Sequence, residues 1–209
     1  MPFLVVLSSP SGGGKTTIAR RLLAERSDVA YSISATTRPI RPEEVDGIAY
    51  HFLARTEFER RVAAGEFLEW AEYGSNLYGT LRAEVDRGIQ SGRQVILDIE
   101  VQGAEKLRGA YQNAVHIFVL PPSGSVLAER LKGRGTEPAE AVRRRLTIAA
   151  DELTMVDRYD YVVVNDDLDE AVRRVGEIID AERARPRRLD NLATVVGRMR
   201  QQLGAPADR

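Results

Sequence analysis

The sequence predicts an α/β fold in which a mostly parallel sheet is flanked by helices, and three observations carry that prediction. Short β-branched runs, FLVVLS (3–8), QVILDI (94–99), VHIFVL (115–120) and YVVVN (161–165), are nearly continuous in apolar residues, as expected of parallel strands covered on both faces. Stretches with helical spacing lie between them, and that alternation points to strand–helix–strand units. A proline- and glycine-marked region interrupts the alternation after the first helix, which predicts an inserted small mixed or antiparallel unit.

The first run leads straight into SSPSGGGKTT, Ser8 to Thr17. A phosphate cradle needs small residues so that successive backbone N–H groups can wrap an anion, a lysine for the β- and γ-phosphates, and a hydroxyl for Mg²⁺. Gly12, Gly13, Gly14, Lys15 and Thr16 supply these parts, with Ser11 and Thr17 completing the loop and the helix start. The pattern G-x-x-x-x-G-K-[ST] asks for glycine where Ser9 stands. If that position required positive φ, serine would cost about 1–2 kcal/mol there, without closing the path to a phosphate.

Helical spacing follows over Lys15–Arg26, and the next such stretch is Leu81–Ser91. Between them, Pro39, Pro42, Gly47, Gly65, Gly74 and Gly79 punctuate the strand-like pieces AYHFL (49–53) and FLEWAEY (67–73). Strand 94–99 ends in acids: Asp98 and Glu100 are two apart, share a face, and are candidates to work beside the cradle. Further helices are predicted over Val101–Gly109, Ser123–Lys132, Glu140–Leu153 and Leu168–Arg185, the last ending at Pro186. GRGTEPAEAVRRRL (133–146), glycine-flanked and arginine-rich, reads as a helical lid. LATVVGRMRQQL (192–203) predicts an amphipathic helix, and the APADR tail is expected to fray.

Composition narrows the function classes. The 209 residues are 43% hydrophobic and 29% charged, ordinary for a globular chain that buries its own core. The absence of cysteine excludes disulfides and thiolate metal sites and suits a cytoplasmic location. His51 and His116 are the only histidines, too few for a histidine zinc site, and read as packing or surface residues. The net charge of −1 gives no basic field for nucleic acid or an anionic membrane. The apolar run Phe3–Leu7 is too short for a signal peptide or a membrane span.

SPSGGGKTT, SATTRPIRPEEVDGIAYHF, FLEWAEYGSNLYGT, ILDIEVQGA, RLKGRGTE and VVVNDDLDEA, taken in order, resemble the guanylate kinase family from about Phe3 to Arg185. The resemblance implies a P-loop NTPase-type core (1–32, 81–132 and 154–187), a GMP-binding insertion (33–80), a lid (133–153), and a C-terminal helix and tail (188–209). It implies phosphoryl transfer from ATP, with Mg²⁺ as cofactor, to GMP or dGMP.

The chemistry of the insertion can also be argued from the residues. A monophosphate dianion calls for convergent arginines and hydroxyls, and Arg38, Arg41, Tyr50 and Tyr78 offer them. Guanine presents N1–H and N2–H₂ donors and an O6 acceptor, so it calls for a carboxylate and for hydroxyls. Glu69 is the candidate carboxylate with Glu100 helping, and Ser34 and Thr80 are the candidate hydroxyls. The family often carries aspartate at the position of Glu100, which changes the reach of that contact. By resemblance, Arg134 and Arg145 are lid arginines that reach the transferring group. Arg130 and Asn165 flank the ATP adenine, Thr16 and Asp98 hold the metal, and Lys15, Arg38, Arg134 and Arg145 form the catalytic set. Trp70 is expected as core beneath the guanine site.

Other readings compete with this one. They are a non-catalytic interaction module with the same fold, a kinase for another phosphorylated acceptor, and nucleic-acid binding through arginines 183–188 and 198–200. Lys15, Thr16, Asp98, Arg134 and Arg145 together disfavour the first, Glu69 with TTRPIR and LYGT the second, and near-neutral charge without an aromatic stacking surface the third. The C-terminal helix is a candidate surface for homo-oligomer formation.

Overall fold

Apolar runs and helical stretches alternate in space as they do along the chain. The computed structural model describes residues 1–132 and 139–204. It opens with β1 (Leu4–Ser8), the glycine loop, α1 (Lys15–Glu25) and β2 (Val29–Tyr31). The insertion then runs β3 (Ala35–Thr36), β4 (His51–Phe52), α2 (Arg55–Ala63), β5 (Phe67–Tyr73) and β6 (Asn76–Leu81). Alternation resumes with α3 (Arg82–Gln90), β7 (Gln94–Asp98), α4 (Val101–Ala110), β8 (Ala114–Leu120), α5 (Gly124–Lys132) and α6 (Ala139–Leu153). The chain closes through β9 (Tyr161–Val164), α7 (Leu168–Arg183) and α8 (Leu192–Gln202).

Five strands form a parallel sheet in the order β2–β7–β1–β8–β9, with β1 at its centre. The central run is apolar on both faces because helices cover both. Val5 and Leu7 pack with Ile18 and Leu22 of α1 and with Val172, Val175 and Ile179 of α7. Leu4 and Val6 point the other way, onto Val85 of α3 and onto Ala104 and Leu107 of α4. The order places β1 beside β7, so the glycine loop and the acids at the end of β7 emerge at the same edge of the sheet.

The insertion builds a second sheet, β4–β3–β6–β5, in which β3 and β4 are parallel and the other pairs antiparallel. Its own core is Ala35, Phe58, Phe67, Leu77 and Leu81, with Phe58 and Phe67 stacked 4.4 Å apart. Four elements were not predicted from sequence: β2, β3, α2 and β6, of which β3 is only two residues long. β2 is only three residues long and half-charged in its flanks, α2 carries one buried residue, Phe58, and β6 is interrupted by Gly79. Each is held by tertiary contact more than by its own pattern.

Asp167 caps α7, its carboxylate accepting the Glu170 N–H at 2.8 Å. The helix stops at Arg183, before the Pro186–Arg188 turn. α8 follows Asn191, which is in the left-handed region, and buries none of its side chains. The first part of the predicted lid and the APADR tail lie outside the described residues. No helix among the described residues is long and apolar enough to cross a membrane.

Candidate active site

The loop after β1 has the backbone that a phosphate cradle requires. Gly12 and Gly14 adopt φ of 88° and 96°, and Gly14 is the N-cap of α1, so the first amides of the helix open toward the loop. A side chain at Gly13 would strike Ser9, at 2.6 Å from Cβ and 2.7 Å from Oγ. Ser9 itself is not strained: Asn191 is the only non-glycine residue with positive φ among the described residues. The cost allowed for at position 9 therefore does not arise. Ser9 is buried and its hydroxyl donates to the Pro10 carbonyl at 2.9 Å.

The cradle is braced from several elements. Asn165, at the end of β9, donates its amide to the Gly13 carbonyl at 2.9 Å, beneath the loop. The Cβ of Arg130, on α5, lies 3.7 Å from where a Gly12 Cβ would stand. Arg145, on α6, donates to Ser11 Oγ at 3.2 Å, which brings one predicted lid arginine onto the loop. Arg134 lies outside the described residues. Thr17, at the surface of α1, donates its N–H to the Gly14 carbonyl.

Lys15 and Thr16 meet the acids of β7. Lys15 Nζ is 3.2 Å from Glu100 Oε1 and 3.8 Å from Asp98 Oδ1. Thr16 Oγ1 donates to Asp98 Oδ2 at 2.5 Å. Burial by itself would lower the Lys15 pKa, but the Glu100 and Asp98 carboxylates outweigh it and hold the ammonium above its ordinary value. Asp98 is raised, because burial exceeds the opposing pull of Lys15 and Thr16. The Thr16 hydroxyl beside an Asp98 carboxylate is an all-oxygen pair of the kind Mg²⁺ prefers, so these residues fit the metal that accompanies a nucleoside triphosphate.

Beside the loop lies a cleft with about 440 Å³ of empty space, counted out to its open mouth. Ser34, Tyr50, Glu69, Tyr78, Asp98 and Glu100 all line it. Glu69 is buried and accepts the Thr80 hydroxyl at 2.7 Å. Burial pushes its pKa up, with Thr80 and Lys106 opposing. Tyr50 and Tyr78 pack edge to face, 6.0 Å between centroids, and the Arg38 guanidinium lies 5.5 Å from the Tyr50 ring. Arg38 is held by Glu44 at 2.7 Å, and the Glu44 carboxylate also accepts the Arg41 N–H, while the Arg41 side chain is exposed. Glu44 thus holds the Arg38 guanidinium, which lies over the cleft-lining Tyr50, and the Arg41 backbone, but no contact among the described residues fixes the Arg41 side chain at the cleft.

Sequence reasoning missed part of the site. Ala71 and Tyr73 line the cleft with Glu69, and the period of two along FLEWAEY is the signal that would have found them. Gln102 and Gly103 line it from the first turn of α4, just past Glu100. Glu152 of α6 is buried with the Ser11 N–H facing it, and no local pattern marks it. Trp70 requires a correction: it is 38% exposed, not core beneath the base, because adjacent residues on β5 face opposite sides and Glu69 takes the inner one. Its ring instead lies 4.9 Å from Lys106 Nζ. His116 is buried, with its pKa lowered by burial to about 4, and His51 contacts Glu84 at 3.3 Å; both are packing residues.

A glycine loop with the backbone of a phosphate cradle and a neighbouring cleft that shares the acids of one strand with it are the arrangement of a nucleoside monophosphate kinase of the P-loop class. The model of the guanylate kinase family matches residues 2–182. A guanylate kinase from Symbiobacterium thermophilum is 52% identical over 182 residues, 87% of this chain and 86% of that relative. One from Zymomonas mobilis is 46% identical over 206 residues, covering 98% and 94%. The crystal structure of guanylate kinase from Anaplasma phagocytophilum matches with a TM-score of 0.79 at 32% identity, covering 98% of this chain and 97% of that one. The chain belongs to the guanylate kinase family.

Proposed function

We propose that this enzyme transfers the γ-phosphoryl group of ATP to GMP or dGMP, giving ADP and GDP or dGDP, in purine nucleotide metabolism of the cytoplasm. The observation that carries the reading is the buried Glu69 carboxylate. One oxygen takes the Thr80 hydroxyl, and the group sits in a cleft walled by Asp98 and Glu100. A buried carboxylate without a full set of donors is costly. Guanine N1–H and N2–H₂ supply donors side by side, whereas adenine offers an acceptor at N1.

The residues divide the work. Glu69, Glu100, Ser34 and Thr80 read guanine, and Arg38, Arg41, Tyr50 and Tyr78 hold the acceptor phosphate. The loop from Ser11 to Thr17 takes the triphosphate, with Arg130 and Asn165 toward the adenine. Thr16 and Asp98 would hold Mg²⁺, which neutralises phosphate charge when bound. The acceptor oxygen is already anionic, so no strong general base is needed, and catalysis is mainly alignment and charge stabilisation. Lys15, Arg38, Arg145 and Arg134 oppose the charge on the transferring group. The insertion 33–80 and the lid 133–153 close over the core and exclude water from it.

The test is ADP formation from ATP·Mg²⁺ with GMP, dGMP, AMP, CMP and UMP offered singly to the native protein and to Glu69→Gln. The native protein is expected to use only the guanine nucleotides. Glu69→Gln should raise the KM for GMP about 100-fold, because an amide presents a donor where the site needs an acceptor. Unchanged GMP turnover in the variant overturns the assignment of Glu69.

A further inference from the structure

The carboxylate that faces the base cleft is shaped from behind by α4. Glu69 Oε1 is taken by Thr80, which leaves Oε2 pointing at the first turn of that helix. A Cβ added at Gly103 would stand 2.7 Å from Glu69 Oε2 and 3.2 Å from its carboxyl carbon. One turn on, Lys106 donates to the Trp70 carbonyl at 2.7 Å, tying α4 to the residue next to Glu69. Gly103 and Lys106 are three apart and so share one face of the helix.

We infer that Gly103 and Lys106 are positioning residues that set how deep the Glu69 carboxylate sits, and thereby how well the cleft separates guanine from bases lacking its 2-amino group. Gly103 leaves the space that the carboxylate occupies, and Lys106 fixes the strand that carries it. The inference rests on the reading of Glu69 as the guanine-binding carboxylate. The clash falls on the far end of a flexible side chain, not on backbone. A methyl group at position 103 therefore displaces the carboxylate and leaves the fold intact. Alanine is also the stronger helix former, so stability and base recognition are expected to move in opposite directions.

The experiment compares Gly103→Ala, Glu69→Asp and the double variant in the full chain, with GMP and IMP as acceptors. Gly103→Ala should raise the KM for GMP 10-fold or more and shrink the preference for GMP over IMP. The KM for ATP should stay within twofold and Tm should be unchanged or higher. In the double variant the shorter aspartate withdraws from the added methyl, and the GMP/IMP preference should recover relative to Gly103→Ala alone. Lys106→Met should shift KM in the same direction by a smaller factor. If Gly103→Ala lowers Tm and impairs both substrates alike, Gly103 is merely structural and the inference fails. If Glu69→Gln abolishes GMP selectivity while Gly103→Ala leaves it untouched, the inference fails and the reading of Glu69 stands. If Glu69→Gln is silent, the reading itself fails.

Discussion

The glycine loop and the cleft lined by Glu69 share one wall, Asp98 and Glu100, yet they hold charge by opposite means. In the loop, a buried ammonium is surrounded by carboxylates at 3.2 and 3.8 Å, and its charge is reinforced before any substrate arrives. In the cleft, Glu69 has a hydroxyl for company and forms no ion pair among the described residues, so burial pushes its pKa up. The loop is a compensated site, and under the proposed function its lysine exchanges carboxylate for phosphate oxygens when a polyphosphate enters. The cleft is an uncompensated one, which is why the proposed function gives it a ligand with two N–H donors. On the proposed reading, affinity for phosphate and selectivity for the base are built from different physics in neighbouring places.

Removing the compensation breaks that contrast most severely. Lys15→Met leaves Asp98 and Glu100 facing each other without their cation and removes the charge proposed to meet the transferring phosphoryl group. We expect kcat to fall about 10³-fold, with the KM for GMP nearly unchanged, in steady-state ADP formation. A comparable rise in the GMP KM would show that the two sites are not separable.

A smaller and more local effect tests the packing of the loop. Gly13→Ala places a methyl group 2.6 Å from the Ser9 Cβ, and the KM for ATP should rise about tenfold or more as the amides tilt away from the phosphates. Ser9→Gly in the same chain removes the atoms struck, and most of the loss should return. Failure of that rescue would mean that Gly13 is needed for something other than its distance from Ser9.

The smallest effect is one of stability, at the seam between the loop and α6. Burial first, and then Glu100, raise Glu152 from 4.5 to about 7, with Lys15 and the Ser11 N–H opposing. Its folded pKa lies above its unfolded one, so the folded state binds more protons between those values. The Glu152 contribution to stability therefore falls as pH rises through that window. Glu152→Gln keeps an acceptor for the Ser11 N–H and removes the titration. It should stabilise the protein by on the order of 2 kcal/mol at pH 8 and by almost nothing at pH 4, read as Tm at the two pH values. Equal shifts at both would place the effect in packing instead of charge.

How much of this was legible in the sequence differs between the same two regions. The strands 4–8, 94–98, 114–120 and 161–164 were readable because burial on both faces leaves an unbroken apolar run. The cradle was readable because its parts are contiguous: glycines, lysine and threonine act through their own backbone and nearest neighbours. β2, β3, α2 and β6 were not, since each is short or broken and is held by partners distant in the chain. Trp70 was misplaced for a related reason. Its size suggested core, but the side of β5 on which it falls depends on register against β6, and the pairing shows an irregularity between Phe67 and Glu69.

The sequence by itself determined the α/β alternation, the phosphate loop with Lys15 and Thr16, and the acids at the end of β7. These depend on local periodicity and on backbone conformations open chiefly to glycine. Only the tertiary structure decided that Ser9 carries no strain, that Arg145 and Glu152 return to the loop from α6, and that Gly103 makes room for Glu69. Those are contacts between elements far apart in the chain. Such contacts are set by how helices and sheets pack on one another, and no spacing along the sequence records them.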